Sequence, residues 1–230
     1  MVRIIAPILL VLLSACGGNG EEAVPPTEVA LERPIASDPD LALSNDSGAV
    51  LGLGGGSAAG MPEVDRSPET VVRIREKAVR HVGGNQAMQD APEADETLEE
   101  APDILTLEQR FASSGLTTLA CSRTVRYGGR YSATMPQPFA LYPEAALQDA
   151  AGSDGEACKL RGAVFRTPMP VQDVLDFYYT LGGKAGFQQA RAEMGETQVL
   201  TGERKGRKFA LYASEIGDGV TEAELLVASD

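Results

Sequence analysis

The spacing of apolar side chains changes along this chain, and each change predicts a different kind of element. Apolar residues run from Ile4 to Leu13, relieved only by Pro7, just after the positive charge of Arg3. A membrane-spanning helix needs about 20 apolar residues, so the run suits the core of a secretory signal instead. No period holds from Gly17 to Pro62. A helix over 68–82 is then predicted: Ser67 as N-cap, Pro68 at the first helical position and Glu69 in the first turn. Val71, Ile74, Ala78 and Val82 recur at helical spacing, and Gly83-Gly84 provides a stop after Arg80 and His81. After it the pattern is lost again as far as Asp103.

The second half is more regular. Thr106-Leu107-Glu108-Gln109 reads as a capping box that opens a short helix towards Phe111. Thr117 to Tyr127 is expected to be a strand, and so is Leu160 to Phe165. Val171, Val174, Leu175, Tyr178 and Leu181 mark one face of an amphipathic helix, which should end at Gly182-Gly183. The period then becomes alternating. Four strands are predicted: from Phe187, Thr197 to Gly202, Lys208 to Ala213, and Val220 to Val227. Lys205-Gly206 and Asp218-Gly219 serve as turn residues between the last of them. In the last strand Ala223, Leu225 and Val227 face the core, leaving Glu222 and Glu224 outside. The expected class is α+β, with one main helix packed on a mostly antiparallel sheet.

Charge divides the chain at the same place. Residues 17–106 carry 18 acidic and 6 basic side chains, against 15 and 13 in residues 107–230, so nearly all of the net −13 lies in the first half. That half is rich in proline and in glycine–serine stretches such as Gly52 to Gly60. Such a segment buries too little apolar surface to offset its ordering entropy, so residues 16–106 read as a largely disordered acidic linker. Its end-to-end distance would be about 50 Å. Residues 107–230 read as one small domain. An acidic arm repels nucleic acid, which excludes that partner. The helix at 68–82 is a basic island, with Arg73, Arg75, Lys77 and Arg80. It either packs on the domain or docks a partner or an anionic surface.

Two stretches of the arm look like sites and fail on detail. Leu51-Gly52-Leu53-Gly54-Gly55-Gly56-Ser57 lacks the lysine and strand–helix setting of a phosphate loop. The acidic cluster from Asp90 to Asp103 lacks the central glycine and ligand spacing of a calcium loop. No metal site and no cofactor are expected.

The apolar run ends in Leu13-Ser14-Ala15-Cys16. This resembles the lipobox of bacterial lipoproteins. The resemblance implies that residues 1–15 are a signal peptide and that Cys16, the first residue of the mature chain, is lipidated. It also implies membrane attachment through the acyl chains, two or more of which hold a protein stably. Gly17 stands where an inner-membrane retention signal would show Asp, so the outer membrane facing the periplasm is the expected location. A second resemblance covers about 60 residues of the domain. Phe165-Arg166-Thr167, Phe177-Tyr178 and Ala185-Gly186-Phe187 are similar to a pattern in uncharacterised bacterial secreted and lipoprotein domains. It implies a packing arrangement and no activity.

An exported location makes Cys121 and Cys158 a pair in an oxidising space, and a disulfide is expected. A catalytic thiol or a zinc site is the alternative, disfavoured by the spacing and by the position of the lone histidine, His81, outside 107–230. No Gly-x-Ser-x-Gly elbow is present. Asp173 and Asp176 share a helical face opposite the apolar one, where a solvated acid belongs. The chain is therefore expected not to be an enzyme. Arg123, Arg126, Tyr127, Arg130 and Tyr131 form a basic–aromatic patch able to take a polyanion or glycan. The expected role is a non-catalytic envelope module that meets a protein or cell-wall partner, with small-ligand or glycan binding as the alternative.

Overall fold

The computed structural model describes residues 64–100, 106–156 and 158–229; residues 1–63, with the export segment, Cys16 and the glycine-rich stretch, lie outside the described residues, as do 101–105. In chain order the elements are α1 (Pro68–His81), β1 (Glu96–Thr97), α2 (Leu107–Ser113), α3 (Leu119–Ser122), β2 (Arg126–Tyr127), α4 (Arg130–Ala133), β3 (Ala146–Gly155), β4 (Cys158–Thr167), α5 (Val171–Lys184), β5 (Gln188–Met194), β6 (Thr197–Arg204), β7 (Arg207–Glu215) and β8 (Thr221–Ser229).

Alternation of side chains aligns the strands into one eight-stranded sheet, ordered β1-β5-β6-β7-β8-β4-β3-β2. Every pairing is antiparallel except that of β1 with β5. Leu200, Leu211, Leu225 and Ala163 are neighbours across four strands, so one buried apolar row crosses the middle of the sheet. The turns Lys205-Gly206 and Asp218-Gly219 are both at positive φ, as tight hairpins require.

Helix α5 lays Val174, Leu175, Tyr178 and Leu181 on this face, as its period predicts. Phe177 and Thr180 are also fully buried, because a second helix covers the flank that was expected to be wet. That helix is α1, 14 residues long like α5, so the expectation of one main helix is corrected. Ile74, Ala78 and Val82 join the same core as Phe177 and Leu181. Ser67 Oγ caps α1 by accepting from Thr70 N at 3.3 Å.

The following segment is also held to the domain. Gln89 N donates to Thr180 Oγ1 (2.9 Å), and Leu98 N donates to Glu193 O (2.7 Å). Over its described part from Val64 to Glu100, the acidic half therefore does not behave as a free linker. Ser57–Asp230 is one compact unit, and the folded region starts well before Leu107.

The opposite face is not solvated either. Leu107 and Phe111 of α2 pack with Ala151, Leu160 and Leu226 in a second core. Glu224, expected outside, is largely covered and paired with Arg110 at 2.5 Å, whose guanidinium lies 4.4 Å from the Tyr212 ring. Glu222 is paired with Arg166 at 2.8 Å. The sheet thus carries helices on both faces.

Two local expectations are corrected, and one strand had not been expected. Residues 117–125 are not a strand: Thr118 Oγ1 accepts from Cys121 N at 3.2 Å and starts the short helix α3. Local capping outweighs the β-propensity of the Thr–Thr pair. Helix α5 runs through Gly182-Gly183 to Lys184. There glycine serves close approach, since a Cβ on Gly182 would fall 2.4 Å from Gln189 Oε1. Strand β3 carries no apolar alternation to announce it. Its Ala, Gly, Ser and Asp residues extend because β4 pairs with them from Ala146 to Gly155, around a bulge between Leu147 and Asp149.

Candidate functional site

The basic–aromatic patch was the first candidate, and the fold breaks it up. Arg123 follows α3 and is exposed, and Arg126 and Tyr127 form the two-residue edge strand β2. Arg130 and Tyr131 open α4, and there the two residues part. Tyr131 is only 2% exposed. Its ring lies over Gly152, where a Cβ would come within 2.5 Å of it. The guanidinium of Arg130 stands 4.6 Å and that of Arg161 5.3 Å from the ring centroid. Both cations reach Asp154, at 3.5 and 2.6 Å. Tyr131 is therefore a packing residue held under two arginines, and the five residues do not make one surface. Arg123 and Tyr127 keep an open position, but on separate elements.

Cys121 of α3 and Cys158, the first residue of β4, form a disulfide with their Cα atoms 5.6 Å apart. On the chain-entropy model a bridge spanning 37 residues stabilises by about 4 kcal/mol. It anchors a short helix to the sheet, rather than one strand to another. A surface cleft of about 420 Å³ lies beside it, lined by Thr117, Thr118, Lys159 and Lys208 among others. Lys208 is turned towards Glu203, at 3.8 Å.

The third candidate lies between α1 and α5. Every base of the basic island finds an acid. Arg73 pairs with Glu144 at 3.1 Å, Lys77 bonds the same carboxylate, Arg75 holds Asp173 at 2.7 Å, and Arg80 lies 3.6 Å from Glu76. The Lys77 ammonium, with help from Arg73, holds the Glu144 carboxyl below its ordinary range. The island thus docks on its own domain.

Asp173 and Asp176, expected on a wet face, are covered by α1 and by the segment after it. Asp176 Oδ1 accepts from Ala91 N (2.8 Å) and Gln172 Nε2 (2.7 Å). Burial nevertheless raises its pKa, and Asp90 and Asp173 add to the rise. A cavity of about 110 Å³ remains, lined by Arg75, Tyr142, Asp173 and Asp176 together with Ala78, Val79 and Met88. Tyr142 is 2% exposed, its ring 5.0 Å from that of Phe177. Burial pushes its hydroxyl far above the ordinary range, with the Asp173 carboxylate next in effect. At neutral pH Tyr142 is therefore a hydrogen-bonding group and not a nucleophile. The His81 ring lies tilted against that of Phe177, with centroids 5.4 Å apart. Among the described residues no group of three His, Cys, Asp or Glu side chains is arranged to hold a metal.

The arrangement offers recognition by charge and hydrogen bonds. Tyr142 and Arg75 belong to this site, and sequence reading did not join them to Asp173 and Asp176. The acidic pair was visible at helical spacing, but which face α1 would cover depends on a contact across 98 residues of chain, Arg75 to Asp173. Tyr142 and Arg126 stand in different parts of the fold: one in the main core, the other on the edge strand. Comparison of the chain with protein-family models, with curated proteins and with solved structures finds no match.

Proposed function

We propose that this chain is a lipid-anchored protein of the bacterial cell envelope, acylated on Cys16, whose folded unit is a non-catalytic interaction module for an envelope protein or a cell-wall component. The carrying observation is Leu13-Ser14-Ala15-Cys16, set directly after a charged residue and a short apolar run. The disulfide between Cys121 and Cys158 supports it, since such bonds persist in oxidising compartments. Gly17 favours the outer membrane, facing the periplasm. Residues 17–56, which are acidic on balance, then connect the lipid to the folded unit. The similarity of Phe177-Tyr178 and Ala185-Gly186-Phe187 to uncharacterised secreted domains agrees with this location.

The anchor is tested by mass spectrometry of the mature amino terminus. A diacylglyceryl cysteine at position 16 is expected, and an unmodified start at Gly17 or elsewhere overturns the reading. The interaction role is tested by crosslinking in intact cells. Deleting residues 67–84 is unsuitable, because Ile74, Ala78 and Val82 belong to the core. The exposed Val72 on α1 is the better probe. Capture of one envelope protein by the wild type, lost in Val72→Asp, is expected; capture of none overturns the role.

A further inference from the structure

The cavity between α1 and α5 has more hydrogen-bonding capacity than the protein uses. Both Arg75 bonds to Asp173 go to Oδ2, at 2.9 and 2.7 Å, which leaves Oδ1 without a partner among the described residues. Both bonds to the Asp176 carboxylate go to Oδ1, which leaves Oδ2 in the same condition. The Tyr142 hydroxyl, on a residue 98% withdrawn from solvent, has no hydrogen bond within the described protein either. The other tyrosine of this core, Tyr178, by contrast donates to Ala140 O at 2.9 Å. Tyr142, Asp173 and Asp176 all line this small cavity, so their unused acceptors are open to a donor that enters it.

Charge and shape narrow the choice. Two carboxylates face one guanidinium, so the site carries one uncompensated negative charge. A primary ammonium brings one positive charge and three N–H donors. It matches three unused acceptors: Asp173 Oδ1, Asp176 Oδ2 and Tyr142 Oη. A volume of about 110 Å³ admits an ammonium with a short carbon stem, and Ala78, Val79 and Met88 supply apolar wall for that stem. Among the described residues no lysine of the chain fills the position. Lys77 is committed to Glu144, and Lys184 donates to Val82 O.

The geometry points to a binding site for a small molecule bearing a primary ammonium, seated between α1 and α5 on Tyr142, Asp173 and Asp176. Because α1 supplies Arg75 and one wall, the occupant also ties the first helix to the domain. The site does not depend on the membrane anchor, and its test is separate.

The full chain is titrated at neutral pH with ethylammonium chloride, and in parallel with tetramethylammonium chloride at equal ionic strength, while amide resonances are followed by NMR. Saturable shifts at Ala91 and around Asp173 are expected with ethylammonium, and none with tetramethylammonium, which has no N–H to donate. Tyr142→Phe keeps the ring against Phe177 and removes only the hydroxyl. It is expected to weaken binding about tenfold, the effect of one hydrogen bond to a charged group. If that variant misfolds, the isosteric Asp176→Asn replaces it and is expected to weaken binding at least as much. Equal responses to the two cations, no saturable shift, or unchanged affinity in a folded variant overturns the assignment.

Discussion

At the scale of single residues, buried charge is where this fold takes its largest local risks. Arg110 and Glu224 are paired at 2.5 Å with side chains only 12% and 21% exposed. Removing one partner strands the other. Arg110→Met is expected to lower stability by about 3 kcal/mol, whereas Arg110→Met with Glu224→Leu recovers most of that loss. Urea unfolding of the two variants checks it, and equal losses would show that the pair is incidental.

Asp176 has the opposite character. Its folded pKa is raised above 3.8 by burial, so it binds its proton more tightly folded than unfolded. The stability it contributes is fully present below 3.8 and is lost as pH rises through the raised value. Asp176→Asn keeps an acceptor for Ala91 N and removes the titration. Thermal melts across the acid range are expected to show the wild type losing ground to the variant as pH rises. A gap that does not change with pH would contradict the assignment.

Among the elements, α1 and α5 form a pair that neither period announces by itself. Each shows an apolar stripe, and each stripe is satisfied partly by the sheet and partly by the other helix. Ile74 is 2% exposed within that contact. Ile74→Ala is expected to cost about 3 kcal/mol, as for other large-to-small changes in a core. If α1 were an independent linker helix the change would be silent, and equilibrium unfolding distinguishes the two. The ion pairs at Glu144 and Asp173 decide the orientation of α1 more than its stability, since their cations are about half exposed.

Across the whole molecule, the consequence is a boundary. Ser57–Asp230 is one unit whose main core draws on residues from Ile74 to Val227. A fragment of residues 107–230, the unit that charge and composition define, lacks the cover over Phe177 and Tyr142. It is expected to unfold with a broadened transition and to bind a hydrophobic dye, whereas residues 57–230 unfold cooperatively. A sharp transition in the shorter fragment would restore the boundary at Leu107.

What the sequence determines by itself is whatever short-range chemistry decides. The caps at Ser67 and Thr106, the turns at Lys205-Gly206 and Asp218-Gly219, the helix beginning at Val171 and the alternation of the last four strands all follow from neighbours within a few residues. The pairing of Cys121 with Cys158 was legible for a different reason, because only two cysteines remain once Cys16 is assigned elsewhere. Tertiary structure alone decided the rest. Strand β3 extends because β4 pairs with it, Tyr131 leaves the basic patch because Gly152 makes room for its ring, and Asp173 and Asp176 are partly covered because α1 returns across them. In the last two cases the deciding contact lies more than 20 residues away in sequence (Gly152 to Tyr131, Asp173 to Arg75), and in the first it is the pairing with the next strand. Periodicity reports which face of an element is apolar, but not what comes to cover the other one.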